Sequence, residues 1–111
     1  MVTVTPITIE NHQFIATEVI LPKTHLIAIH CNSGYIMCGA LDVHLLNTRL
    51  KDRHIIAARA VGVKSVKELL EAPLESVTDE AISIGVTTGM KGSDALLLMA
   101  AYCEQQAADK K

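Results

Sequence analysis

Five histidines and three cysteines are the side chains of this chain with the most chemistry to offer. His25, His30 and Cys31 stand close enough in sequence to suggest metal ligands. On an extended strand, however, residues 25, 27, 29 and 31 project to one side and residues 26, 28 and 30 to the other. His25 and His30 would then serve opposite faces and could not share one ion. No Cys-x-x-Cys, no His-Glu-x-x-His and no other ligand spacing occurs, so neither a metal nor a cofactor is expected.

Cys38 is the better candidate for reactivity. It closes a predicted strand, is followed by Gly39, and lies at or just before the start of a predicted helix. Backbone N–H groups at such a start favour a thiolate and can hold an anion, which makes Gly39 a candidate ligand contact. Asp42 opposes this, because a nearby negative charge disfavours ionisation of the thiol. The competing reading of Cys38 is a small buried hydrophobe, the commonest fate of a free cysteine. No catalytic residue beyond this candidate can be assigned, and the chain is not resolved into enzyme or non-enzyme.

Arg59 is unusual for its surroundings, Ile55-Ile56-Ala57-Ala58-Arg59-Ala60-Val61-Gly62-Val63. A guanidinium there must reach a carboxylate, carbonyl groups or a bound anion, since an unpaired buried charge is very costly. Asp42 is the expected partner. A structural ion pair, a subunit contact and a ligand site all remain open for it. Gly89-Met90-Lys91-Gly92-Ser93 leads into a helix but lacks the spacing of a phosphate loop, and is read as a glycine-rich helix entry.

The elements that must position these residues fall into two halves. Residues 2–9 read as a strand in which Val2 and Val4 share one face and Ile7 and Ile9 the other, with Pro6 marking an edge or a bulge. Glu10 to Gln13 is a turn. Phe14–Leu21 and His25–Cys31 are strands separated at Pro22-Lys23-Thr24. Asn32-Ser33-Gly34 turns a hairpin into a fourth strand, Tyr35–Cys38, with Cys31 expected opposite Tyr35 and Cys38 opposite Ala28. The second half mixes elements. A helix is expected over 41–53, with Asp42 at its start, and a buried strand over 54–63. Ser65-Val66-Lys67-Glu68 is a capping box for a short helix that stops before Pro73. A short strand over 74–77, a helix capped at Thr78 and ended by Gly85, and a last helix capped by Ser93 complete the chain. The fold class is α+β: an N-terminal antiparallel β meander, then a mixed strand and helix half that packs helices on the sheet. One domain over 1–111 is expected, with a β-rich oligomerisation region at 1–40, a mixed part at 41–106 and a frayed tail at 107–111.

Composition narrows the function. Half of the residues are hydrophobic but only 3% are aromatic, so the core is aliphatic and base-stacking surfaces are scarce. Ten basic against twelve acidic residues leave a formal charge of −2, with no excess to neutralise a phosphate backbone. Nucleic acid is therefore not an expected partner. The longest apolar run, Ala95 to Cys103, is far short of the ~20 residues of a membrane helix, and the N-terminus lacks the pattern of a signal peptide. Together with the odd cysteine count, this points to reduced thiols, no membrane and a cytoplasmic location. The second strand is apolar on both faces and the last helix nearly all round. That is more apolar surface than a lone small domain hides, so a homo-oligomer is expected.

Gly34-Tyr35-Ile36-Met37-Cys38-Gly39-Ala40-Leu41-Asp42, Leu45-Leu46-Asn47, Arg59-Ala60-Val61-Gly62-Val63, Leu69-Leu70-Glu71-Ala72-Pro73-Leu74 and Gly89-Met90 followed by Gly92 and Ala95-Leu96 together resemble the YunC-like family of bacterial and archaeal domains of unknown function. The resemblance covers nearly the whole chain and is most specific over 34–42. It implies tetramerisation through the N-terminal β region and carries over no catalytic residue; His25 and His30 lie outside its motif. The preferred reading is a homo-oligomeric ligand-binding or structural module with an unidentified small-molecule ligand. The alternative is a thiol-dependent enzyme or redox sensor using Cys38, with Arg59 holding an anion.

Overall fold

The structure is a computed structural model that describes residues 2–22, 24–38, 47–48 and 54–109, with residues 103–109 described by backbone alone. Strands β1 (Val2–Ile9), β2 (His12–Leu21), β3 (Thr24–His30) and β4 (Gly34–Met37) form the antiparallel meander that the alternating sequence predicts. Strand β5 (Ile56–Arg59) then joins β4 in parallel, and β6 (Ser76–Val77) pairs antiparallel with β5. The sheet order among the described strands is β1-β2-β3-β4-β5-β6. Helices α1 (Val66–Glu71), α2 (Asp79–Ser83) and α3 (Gly92–Asp109) accompany its second half, giving an α+β fold. None of the described helices is long and apolar enough to cross a membrane.

The first hairpin is tighter than the predicted turn. Ile9 pairs with His12, and the two residues between them, Glu10 (φ 47°) and Asn11 (φ 72°), both take the left-handed conformation of a primed turn. Such a turn makes its closing pair hydrogen-bonded. By alternation Thr3, Thr5 and Ile7 also bond to β2, while Val2, Val4, Pro6 and Thr8 turn their backbone groups outward. Pro6 therefore gives up no ladder bond. The register runs through Pro6↔Ile15 without a bulge, and β1 is the sheet edge.

At the β3–β4 hairpin the register differs by one residue from expectation. His30, not Cys31, stands opposite Tyr35, and Ala28 opposite Met37. The reason is local. The Cys31 N–H donates to the Gly34 carbonyl at 3.0 Å, which draws Cys31 into the turn and moves the ladder back. Cys38 then faces Ile27, donating its N–H to the Ile27 carbonyl at 3.0 Å.

One face of the sheet carries the core. Phe14 and Ala16 of β2, Ile27 and Ile29 of β3, Ile36 of β4 and Ala58 of β5 are buried against Leu69 of α1 and Leu96 and Met99 of α3. A smaller cluster forms on the opposite face, where Tyr35, Met37 and Ile55 surround the buried Ala57. The helix caps follow the sequence signals. Ser65 Oγ accepts the Glu68 N–H at 3.1 Å, while the Glu68 carboxylate reaches back to the Lys64 N–H. Thr78 Oγ1 caps α2 by accepting the Ala81 N–H at 3.2 Å. Helix α3 begins one residue before the expected Ser93 cap. Gly92 fits there because a Cβ would strike the Leu69 carbonyl oxygen and come within 2.9 Å of Ile36 Cδ1. The helix expected over 41–53 lies outside the described residues except for Asn47 and Thr48, which are helical.

Candidate functional site

Strand ends position Cys38 and Arg59, two of the residues that sequence reasoning singled out. Cys38 follows the last residue of β4 and is 6% exposed. Its Sγ accepts the Ile27 N–H at 3.5 Å and lies 4.0 Å from the His25 carbonyl, so the thiol is built into the sheet edge of the core. Arg59 is one register step away, since it pairs with Met37. Adjacent residues on a strand face opposite ways, so Cys38 points to the helix-covered face and Arg59 to the other. Their side chains therefore leave the sheet on opposite faces. Gly39 and Asp42, the other two candidates, lie outside the described residues.

The expected partner Asp42 lies outside the described residues; Arg59 reaches a carboxylate that sequence reasoning did not choose. Its Nε donates to Glu75 Oε2 at 2.7 Å and its Nη2 stands 2.5 Å from the same oxygen. The antiparallel approach to β6 makes this pair, and the Glu75 N–H closes it by donating to the Arg59 carbonyl at 2.7 Å. Hydrogen bonds from Ser76 and then from Arg59 hold the Glu75 carboxyl below its ordinary pKa. The Arg59 side chain keeps 27% of its surface and Glu75 41%, so this is a partly solvated structural pair.

The other end of the sheet is richer in polar groups. His30, Cys31 and Asn32, at the β3–β4 turn, are shared by two hollows. One, of 510 Å³, is walled further by Tyr35 and His54. The other, of 370 Å³, is walled by His12 and Gln13. Cys31 is half-buried, with Sγ 3.4 Å from Ser33 Oγ and 3.7 Å from the Gly34 carbonyl. Ser33 Oγ donates to the Met99 carbonyl of α3 at 2.6 Å, which latches the turn to the helix. Burial pushes the Tyr35 phenol pKa up. His54 Nδ1 is 2.8 Å from a Glu80 carboxylate oxygen. Cys31 thus bonds to a hydroxyl and a carbonyl, and among the described residues no imidazole completes the relay of a thiol nucleophile at this turn. The signal that could have located the cluster was the turn itself: it gathers the end of β3, the start of β4 and the entry to β5 at one rim.

The histidine pair behaves as strand parity requires. His25 pairs with Ile20 on the helix-covered face and His30 with Ile15 on the other. Among the described residues, no three His, Cys, Asp or Glu side chains are placed to hold a metal ion.

Residues 37–99 match the family model described as a domain of unknown function, DUF1805. The chain is 57% identical over 99 residues to the uncharacterised protein YunC of Bacillus subtilis (strain 168), a match spanning 89% of this chain and 98% of that protein. It is also similar to the crystal structure of a protein of unknown function, TA1206, from Thermoplasma acidophilum. That likeness has a TM-score of 0.80 and 25% identity, and covers 89% of this chain and 93% of the other.

Proposed function

Because the chain belongs to the DUF1805 family, whose members similar to it have no described activity, we propose from its surface that it is a homo-oligomeric, non-catalytic binding module assembled through its N-terminal strands. The observation that carries this reading is the β1 edge. It runs eight residues without a charged side chain, and Val2 and Val4 are 63% and 61% exposed. Natural edge strands of this length are usually blunted by lysine, a bulge or a covering loop. Here the single blunting device is Pro6. The outward backbone groups of Val2, Val4 and Thr8 fit an antiparallel partner, and a second β1 related by two-fold symmetry meets them with the same groups.

The same face of the sheet continues from the exposed Val2 and Val4 across the half-buried Ile15 and Val19 of β2 to the half-buried Leu26 of β3. A tetramer needs a second contact beyond one strand pair, and this apolar face supplies it. A cytoplasmic setting accompanies the proposal, since Cys31 and Cys38 are both free thiols. Sedimentation velocity at low micromolar concentration tests the reading. A folded species at a multiple of 12.0 kDa supports it, and a folded 12.0 kDa monomer ends it.

A further inference from the structure

The parallel pair β4–β5 is where open sheets with parallel strands tend to place ligands, at the carboxyl ends. A hollow of 470 Å³ lies at that end, bounded by Ile20 and Leu21 of β2, Thr24 and His25 of β3, and Val63 and Lys64 from the segment that leads β5 into α1. It is an open depression rather than an enclosed cavity. Its walls are divided. Ile20 and Leu21 are 45% and 46% exposed and, with the half-buried Val63, make an apolar side. Lys64, Thr24 and His25 make a polar one.

His25 shows an unfinished contact. Its Nε2 is buried without a hydrogen-bond partner and lies 3.8 Å from Glu18 Oε1, beyond hydrogen-bond reach. A buried polar atom left unpaired costs free energy and calls for a physical reason. Because Nε2 is covered, the ring must turn to present it to a group seated in the hollow. Lys64, which is exposed, supplies a full positive charge at the rim, and the Thr24 hydroxyl supplies a further donor. Glu18 limits what can bind: its carboxylate beside His25 repels a doubly charged head group more than a singly charged one.

We propose that this hollow binds a small monocarboxylate with an aliphatic body, its head group between Lys64 and His25 and its chain against Ile20, Leu21 and Val63. The site includes no β1 residue, although its Leu21 lies on the face that continues from Val19. The test is titration of the full chain with sodium octanoate, followed by amide chemical-shift changes and by calorimetry. Octanoate is expected to shift residues 20–25 and 63–64 and to bind more tightly than octanol or octyl phosphate. Lys64→Gln, a change at an exposed side chain, should weaken octanoate about tenfold, in keeping with the loss of one charge-assisted hydrogen bond, and leave octanol unaffected. His25→Gln should weaken it by a smaller factor. The proposal is overturned if octanol binds as tightly as octanoate, if octyl phosphate binds more tightly, or if Lys64→Gln changes nothing. Shifts confined to residues elsewhere overturn it too. So does Ile20→Ser altering sedimentation while octanoate binding stays as it was, which would give the patch to a second copy of the chain.

Discussion

Replacing Thr78 by valine keeps the branched shape of the side chain and removes only its hydroxyl. That atom holds two elements together. Thr78 is 1% exposed, and its Oγ1 accepts the Ala57 N–H of β5 at 3.1 Å and the Ala81 N–H of α2 at 3.2 Å. Valine would leave both donors buried and unpaired, at about 1–3 kcal/mol each. The methyl that takes the hydroxyl's place returns roughly 1 kcal/mol by burial, and the matched volume adds no cavity term. The net loss is then about 1–5 kcal/mol, a large share of the ~5–15 kcal/mol that holds a typical domain folded. Thr78→Ser keeps the acceptor and loses one methyl, so it should cost about 1 kcal/mol. Urea denaturation followed by circular dichroism measures both, at one fixed protein concentration because self-association would shift the midpoint. The reasoning fails if the valine variant lies within about 0.5 kcal/mol of the parent, a change typical of indifferent surface positions. It also fails if serine proves the more damaging substitution.

Three further outcomes are expected. Val4→Asp places a charge at each copy of a two-fold strand pair; Val4 is 61% exposed, so the lost burial alone is about 1–2 kcal/mol per copy, and the dissociation constant should rise about 30-fold or more by sedimentation. Gly92→Ala puts a methyl into the Leu69 carbonyl where α3 crosses α1, and should cost about 1–3 kcal/mol by denaturation midpoint, whereas an unchanged midpoint would mean the helices part freely. Glu75 is held ionised by Ser76 and Arg59, so its folded-state pKa is depressed. Its contribution to stability is present above the ordinary carboxylate value of 4.5 and is lost as pH falls from there through the depressed value. Glu75→Gln should therefore flatten the acid limb of the stability profile below about pH 4.5, and the difference should shrink in high salt because the pair is exposed.

What was legible in the sequence was local. Period-two alternation gave the four meander strands, Pro6 left an edge or a bulge, of which the edge is found, and Ser65 with Glu68 and Thr78 gave two helix starts, because each of these signals acts within a few residues of itself. The misreadings sit where distant groups decide. A single N–H, that of Cys31, moved the β3–β4 register by bonding to the Gly34 carbonyl. The direction of β5 depends on the crossover that precedes it, and composition is the same for a parallel or an antiparallel strand. The contact of Arg59 with Glu75 went unforeseen because that carboxylate is sixteen residues away and arrives only when β6 folds back along β5; the expected contact with Asp42 lies outside the described residues. Cys38 and Arg59, read together from the sequence, leave the sheet on opposite faces, which parity shows only once the β4–β5 register is known. Cys38 is one register step beyond the Met37–Arg59 pair, and an odd step puts two side chains on opposite faces however near their backbones are. Had the parallel pairing been known, that step would have separated them at once. It would also have directed attention to the carboxyl ends of β4 and β5, where Lys64 and His25 stand at the rim of a hollow.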